Sequence, residues 1–187
     1  MSSKKSSSAT VSGRNIQVQS VRPALFLDRD GVINVDTDYL YRIEDVVFID
    51  GIFDVVKTYR DRGFKVVVVT NQSGIARGRF SEEEYQTLTS WLKHAFAERG
   101  APLDGVYHCP HHPDVTGACS CRKPEPGMSL QAAEALGIDL EHSVMIGDKE
   151  RDIIAAHRAG VRETYLLDAA AQTSSASRII KSLRELQ

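Results

Sequence analysis

Lys65-Val-Val-Val-Val-Thr70 is a near-continuous run of β-branched residues with no polar alternation. A strand of this kind has no face to give to water, so it reads as buried on both sides, inside a parallel sheet. Ala24 to Leu27 is a second short apolar run, and further strands are expected at Val106–Tyr107, Ser143–Ile146 and Thr164–Leu167. Between them the apolar period lengthens to that of a helix. Ile52, Phe53, Val55, Val56 and Tyr59 share one helix face that Gly63 closes. Ser81 and Glu84 form a capping box ahead of a stripe of Tyr85, Leu88, Leu92 and Phe96, and Gly100 follows. Helices are also expected over Ser129–Leu136, Asp152–Ala159 and Ser175–Leu186. Strand alternating with helix implies an α/β fold: a Rossmann-like parallel sheet flanked by helices, joined by right-handed crossovers.

The chain's 187 residues suit one domain. A net charge of -2 gives no sign of a nucleic-acid or membrane surface, and no apolar stretch approaches a membrane span. With no signal-peptide pattern at its start, the chain is expected in the cytoplasm, and monomeric. Residues 1–20 open as Met1-Ser-Ser-Lys-Lys-Ser-Ser-Ser, polar, basic and low in complexity. They read as a disordered tail or an expression remnant, leaving 21–187 as the folded domain.

The chemistry-bearing residues stand at the ends of the expected strands. The first ends in Asp28-Arg-Asp30-Gly31, the second in Thr70-Asn-Gln-Ser-Gly74, and that through Val144 in Gly147-Asp148. Ligands of open α/β sheets gather at the carboxyl ends of strands, where three such ends can meet in one crevice. Two carboxylates one residue apart suit a divalent cation and nucleophilic attack on a phosphoryl group, although Asp-x-Asp-Gly also makes an ordinary turn.

Taken in order, these segments resemble the four motifs of the haloacid-dehalogenase (HAD) phosphatases. Asp28-Arg-Asp30-Gly matches the first, Thr70 the second, Lys123 the third, and Gly147-Asp148-Lys-Glu-Arg-Asp152 the fourth. The resemblance spans about residues 24 to 168 and implies a HAD-type sheet. It also implies roles. Asp28 would attack phosphorus to form an aspartyl phosphate. Asp30 would protonate the leaving alkoxide and then deprotonate water. Thr70 and Lys123 would hold the phosphoryl oxygens. Mg²⁺ would be bound by Asp28, Asp148 and the backbone carbonyl of Asp30, with Asp152 orienting the site from behind. Val32 stands where many members carry threonine, a change that removes no group assigned to the chemistry.

All three cysteines fall in Cys109-Pro-His-His112 and Cys119-Ser-Cys121. Three thiolates with one imidazole complete a structural Zn²⁺ shell, and an odd count argues against a disulfide framework. His108, His111 and His112 are all near enough to serve, and the family resemblance points to His111. Such a loop, residues 109–121, would deliver Arg122 and Lys123 to the crevice. The intervals between motifs are too short for a large cap domain.

A closer likeness is to the branch of the superfamily that dephosphorylates heptose 1,7-bisphosphate. It rests on Asn34-Val-Asp-Thr-Asp-Tyr39, Thr70 to Gly78, Cys109-Pro-His-His-Pro113, Cys121-Arg-Lys-Pro124 and Gly147-Asp-Lys149. The likeness implies removal of the C7 phosphate, on the route to nucleotide-activated heptose for bacterial surface glycans. A bisphosphate carries a second anion, for which Arg122 offers a bidentate fork and Lys149 a further charge. Asp36, Thr37, Asp38 and Tyr39 would contact sugar hydroxyls, and Asn71, Gln72 and Ser73 would donate hydrogen bonds. Arg77 and Arg79 read as solvated loop. Histidinol-phosphate phosphatases, with a similar zinc loop, are the nearest alternative. A catalytically inactive phosphate-binding module is the alternative from another class.

Overall fold

A computed structural model describes residues 21–187, so the expected N-terminal tail lies outside the described residues. Six strands form a single sheet, all pairs parallel: β1 (Arg22–Leu27), β2 (Lys65–Asn71), β3 (Gly105–Cys109), β4 (Ile138–Gly147), β5 (Glu163–Leu167) and β6 (Arg178–Ile180). Their spatial order is β3-β2-β1-β4-β5-β6. The order reverses between β1 and β4, and it is outside the carboxyl ends at such a point that open sheets of this kind bind ligands.

The helices are α1 (Ile52–Asp61), α2 (Glu82–Glu98), the single turn α3 (Pro113–Thr116), α4 (Gly127–Leu136) and α5 (Glu150–Ala159). Successive side chains of β1 and β2 point to opposite faces and enter different cores. Leu25, Leu27, Val66 and Val68 pack with Ile52, Val55, Val56 and Phe96 on the α1 and α2 side. Ala24, Phe26, Val67 and Val69 pack with Met128, Ala132 and Ala156 on the α4 and α5 side. The valine run is thus covered on both faces, as its composition requires. The capping box at the start of α2 is closed from both ends, Glu84 N to Ser81 Oγ at 3.1 Å and Ser81 N to Glu84 Oε2 at 2.7 Å.

Two expectations need correction. The helix expected over Ser175–Leu186 is not formed; this stretch holds β6 and a short 3-10 turn at Leu183–Leu186. Ile179 and Ile180, adjacent and β-branched, favour extension and pair with β5, which buries Ile180 completely. The surrounding serines bond to backbone amides instead of propagating a helix: Ser177 Oγ accepts from Thr164 N of β5, and Ser182 Oγ locally from Arg184 N. The second correction concerns β4, which begins at Ile138, five residues before the expected Ser143. Its register against β1 shifts between Pro23 and Leu25. The irregular Asp139–His142 segment breaks the apolar pattern that would have announced the strand. No helix among the described residues is long and apolar enough to cross a membrane.

Candidate active site

The first, second and fourth motifs sit at the strand ends expected of them, and Lys123 lies in the loop ahead of α4. Asp28 follows β1, and its backbone N–H donates to the Ile146 carbonyl of β4 at 3.1 Å, so the two central strands fix its position. Asp148 follows β4. Carboxylate oxygens of Asp28, Asp148 and Asp152 all lie within 4.8 Å of one another, and all three residues are buried. Gly31 is what admits Asp148. Its φ is +88°, and a Cβ there would stand 2.4 Å from Asp148 Oδ2.

Lys123 enters this acidic group as a buried cation, 3 % exposed. Its Nζ lies 3.0 Å from Asp28 Oδ1 and 2.8 Å from Asp152 Oδ1, and donates to the Val69 carbonyl at 2.9 Å. Burial alone would lower the lysine, but the two carboxylates overrule it and hold the ammonium above its ordinary range. Burial pushes Asp28 up to about 7, against the opposing pull of Lys123. Asp148 is raised as well, again chiefly by burial, with the Lys149 ammonium 2.7 Å away opposing. Its Oδ1 is buried without a hydrogen-bond partner. Hard oxygen donors, desolvated and left with an unsatisfied lone pair, form a donor set that fits Mg²⁺.

The Asp30 carboxylate stands apart from this trio, so only its backbone carbonyl remains as a candidate ligand. Its two oxygens accept four hydrogen bonds: from Arg29 Nε (3.1 Å), Arg29 Nη2 (2.9 Å), Asn34 Nδ2 (2.9 Å) and Gln72 Nε2 (2.9 Å). Gln72 Nε2 also reaches Thr70 Oγ1 at 2.9 Å, which leaves the buried threonine hydroxyl free to donate toward the crevice.

Cys109, His111, Cys119 and Cys121 come together as expected. The Cys121 sulfur lies 2.9 Å from Cys109 Sγ, 3.5 Å from Cys119 Sγ and 3.3 Å from His111 Nδ1, and no disulfide is formed. The other two histidines are engaged elsewhere. His108 pairs with Glu82 and stacks on Tyr85, while His112 caps α3 through Nδ1 and meets Arg77 Nη2 with Nε2 at 2.5 Å. The end of β3 holds Cys109, whose carbonyl accepts from Gln72 N at 2.8 Å. At the far end of the loop Asn71 clamps the Lys123 backbone reciprocally, Lys123 N to Asn71 Oδ1 at 3.0 Å and Asn71 Nδ2 to Lys123 O at 3.1 Å.

The crevice above these residues has a volume of about 260 Å³ and is lined by Asp28, Asp30, Asp36, Asp38, Tyr39 and the 70–74 segment, with Arg77, Arg122, Arg151 and His112. Several expected contacts are placed differently from the sequence reading. Asn71 and Gln72 reach the lining, but their side chains are committed to Lys123 and to Asp30 with Thr70. Thr37 lines a neighbouring surface groove with Leu40 to Arg42, and the exposed Lys149 is held by Asp148, outside the crevice. Ser73 and Arg122 do line it, with Arg122 Nη1 donating to the His111 carbonyl at 3.1 Å. Arg77, expected to be solvated, is exposed yet borders the crevice through His112. Arg29 escaped the sequence reading altogether, although it is 2 % exposed and grips Asp30.

A parallel sheet with a buried aspartate directly after β1, paired acids after β4 and a buried lysine from a crossover loop defines a HAD-type phosphotransferase or phosphohydrolase. The comparisons narrow this. The family model described as HAD-hydrolase-like matches residues 120–185. A D-glycero-β-D-manno-heptose-1,7-bisphosphate 7-phosphatase of Yersinia pestis is 51% identical over 154 residues, 80% of this chain and 81% of that protein. The protein of the same name from Vibrio cholerae serotype O1 is 50% identical over 151 residues, 78% of this chain and 81% of its own. Among solved structures, the D,D-heptose 1,7-bisphosphate phosphatase of B. bronchiseptica, complexed with magnesium and phosphate, superposes with a TM-score of 0.75. The two are 31% identical, covering 86% of this chain and 93% of that one. The chain belongs to the D-glycero-β-D-manno-heptose-1,7-bisphosphate 7-phosphatase family of the HAD hydrolases.

Proposed function

We propose that this protein is a Mg²⁺-dependent phosphatase that removes the C7 phosphate of D-glycero-D-manno-heptose 1,7-bisphosphate, serving nucleotide-activated heptose synthesis as a cytoplasmic monomer. The convergence of Asp28, Asp148, Asp152 and Lys123 at one strand-end crevice carries the reading.

Asp28 Oδ1 is tied by Arg29 N at 2.7 Å and by Lys123 Nζ, which leaves Oδ2 for attack on phosphorus. As the Asp28 O–P bond forms, the bond from phosphorus to the sugar oxygen breaks, and Asp30, entering the step protonated with one of its four accepted hydrogen bonds given up, passes its proton to that oxygen. Asp30 then takes a proton from the water that attacks the phosphoaspartate, releasing inorganic phosphate and restoring the Asp28 carboxylate. Lys123 and the Thr70 hydroxyl hold the phosphoryl oxygens through both transfers. Asp28, Asp148 and the Asp30 carbonyl would hold Mg²⁺, which would supply charge neutralisation for an anionic phosphate meeting a carboxylate. Arg122 is the group best placed to receive the second phosphate, with Asp36, Asp38, Tyr39 and Ser73 facing the sugar. Structural Zn²⁺ on Cys109, His111, Cys119 and Cys121 would hold together a loop that has only the α3 turn as regular structure.

The substrate is tested by comparing kcat/KM for both anomers of heptose 1,7-bisphosphate with that for histidinol phosphate, with Mg²⁺ and then with EDTA. We expect a clear preference for a heptose bisphosphate and loss of turnover in EDTA. Preference for histidinol phosphate would overturn the substrate, and EDTA-resistant turnover the metal. Elemental analysis of protein purified reduced and without chelator should find one zinc per chain; a zinc-free, fully active preparation would count against the structural site.

A further inference from the structure

Arg29 is a charged residue that the chain buries completely at some cost. Guanidinium groups are seldom taken out of water unless every donor is paired. Here Nη1 has no hydrogen-bond partner, and the residue borders a small, mostly apolar cavity lined also by Ile33, Leu92 and Phe96. Stability alone does not account for a cation held this way.

What the remaining donors do is specific. Nε and Nη2 grip the two oxygens of Asp30 as a fork, at 3.1 and 2.9 Å. Nη2 also donates to the Leu40 carbonyl at 3.0 Å and to Gln72 Oε1 at 3.1 Å. The Tyr85 ring lies beneath the guanidinium, its centroid 5.8 Å from Cζ. Gln72 closes the circuit, because its Nε2 binds Asp30 Oδ2 and Thr70 Oγ1 together. The carboxylate is therefore referenced to β2, to α2 and to the loop at Leu40, while its own backbone belongs to the turn after β1.

Building on the phosphatase reading above, we propose that Arg29 is the positioning residue for proton transfer. Its fork, braced by Leu40 and Gln72, aims Asp30 at the leaving oxygen, and Gln72 keeps that aim in register with the phosphoryl-holding Thr70. No reaction step passes through the guanidinium itself; the proton still travels from Asp30 to the sugar oxygen.

Leaving groups separate this role from a structural one. An alkoxide needs the proton, whereas 4-nitrophenolate departs without it. In first-turnover measurements, Arg29→Lys keeps the charge but loses the fork. It should slow phosphoryl transfer from heptose bisphosphate by about 10²-fold, the usual worth of general acid catalysis, with KM little changed. The 4-nitrophenolate burst should survive within a small factor. Asp30→Asn should show the same split, and the double variant should be no worse than Asp30→Asn alone. Equal losses on both substrates, or additive losses in the double variant, would overturn the proposal. Should Arg29→Lys fail to fold, Gln72→Met leaves the arginine in place and removes one of the two donors on Asp30 Oδ2; it should give the same split at smaller amplitude, and an unsplit loss would again overturn the clamp. A wild-type protein inactive on both substrates would instead refute the underlying phosphatase reading, and the clamp with it.

Discussion

Asp28→Asn should abolish phosphate release while leaving the fold intact. The amide is isosteric, and its oxygen can still accept from Arg29 N and Lys123 Nζ as Asp28 Oδ1 does. It has no carboxylate oxygen for attack. For a mechanism that depends on a covalent intermediate, kcat should fall by about 10³-fold or more with an unchanged circular dichroism spectrum. Acid-quenched wild-type protein incubated with labelled substrate should carry an aspartyl phosphate that the variant lacks. Release at the wild-type rate would remove Asp28 from the chemistry.

Lys123→Met should damage stability and turnover together. Lysine and methionine are similar in length, so the loss is that of the ammonium. Removing it leaves Asp28 and Asp152 buried beside each other with no protein cation between them. Breaking a buried ion pair from one side costs about 3–5 kcal/mol, because the orphaned charge stays desolvated. The urea midpoint should drop accordingly, and kcat with it, since in the proposed mechanism the same ammonium holds the transferring phosphoryl group. A variant as stable as wild type would show that the carboxylates are compensated by other means.

The two central strands were legible because burial on both faces leaves a composition that little else produces, as at Val66–Val69. Asp28, Thr70 and Asp148 were legible for a related reason: each is a polar residue at the end of an apolar run. Cys109, Cys119 and Cys121 were legible from rarity and clustering. Arg29 was not. A charged residue just past a strand end reads as solvated, and its burial depends on Leu40, Gln72 and Tyr85, partners far away in sequence. The only local signal was its place between two aspartates and just ahead of the buried Val32 and Ile33. Asn71 and Gln72 show the opposite limit, although both line the crevice. Amides beside a site were read as facing substrate, whereas their donors and acceptors are taken by Lys123, Asp30, Thr70 and Arg29. The C-terminal segment was missed because tertiary pairing with β5 decides between helix and strand where Ile179 and Ile180 sit among serines.

The reciprocal Asn71–Lys123 clamp separates two jobs that lie close together in sequence. Lys123 takes its position from β2 and from two carboxylates, not from the path of the chain between Cys109 and Cys121. Residues 113–118, by contrast, are all exposed. None of them lines the crevice, so insertions or replacements there should leave the chemical step in register. The loop can thus vary in length and composition around the reaction centre, which serves it as a fixed chassis.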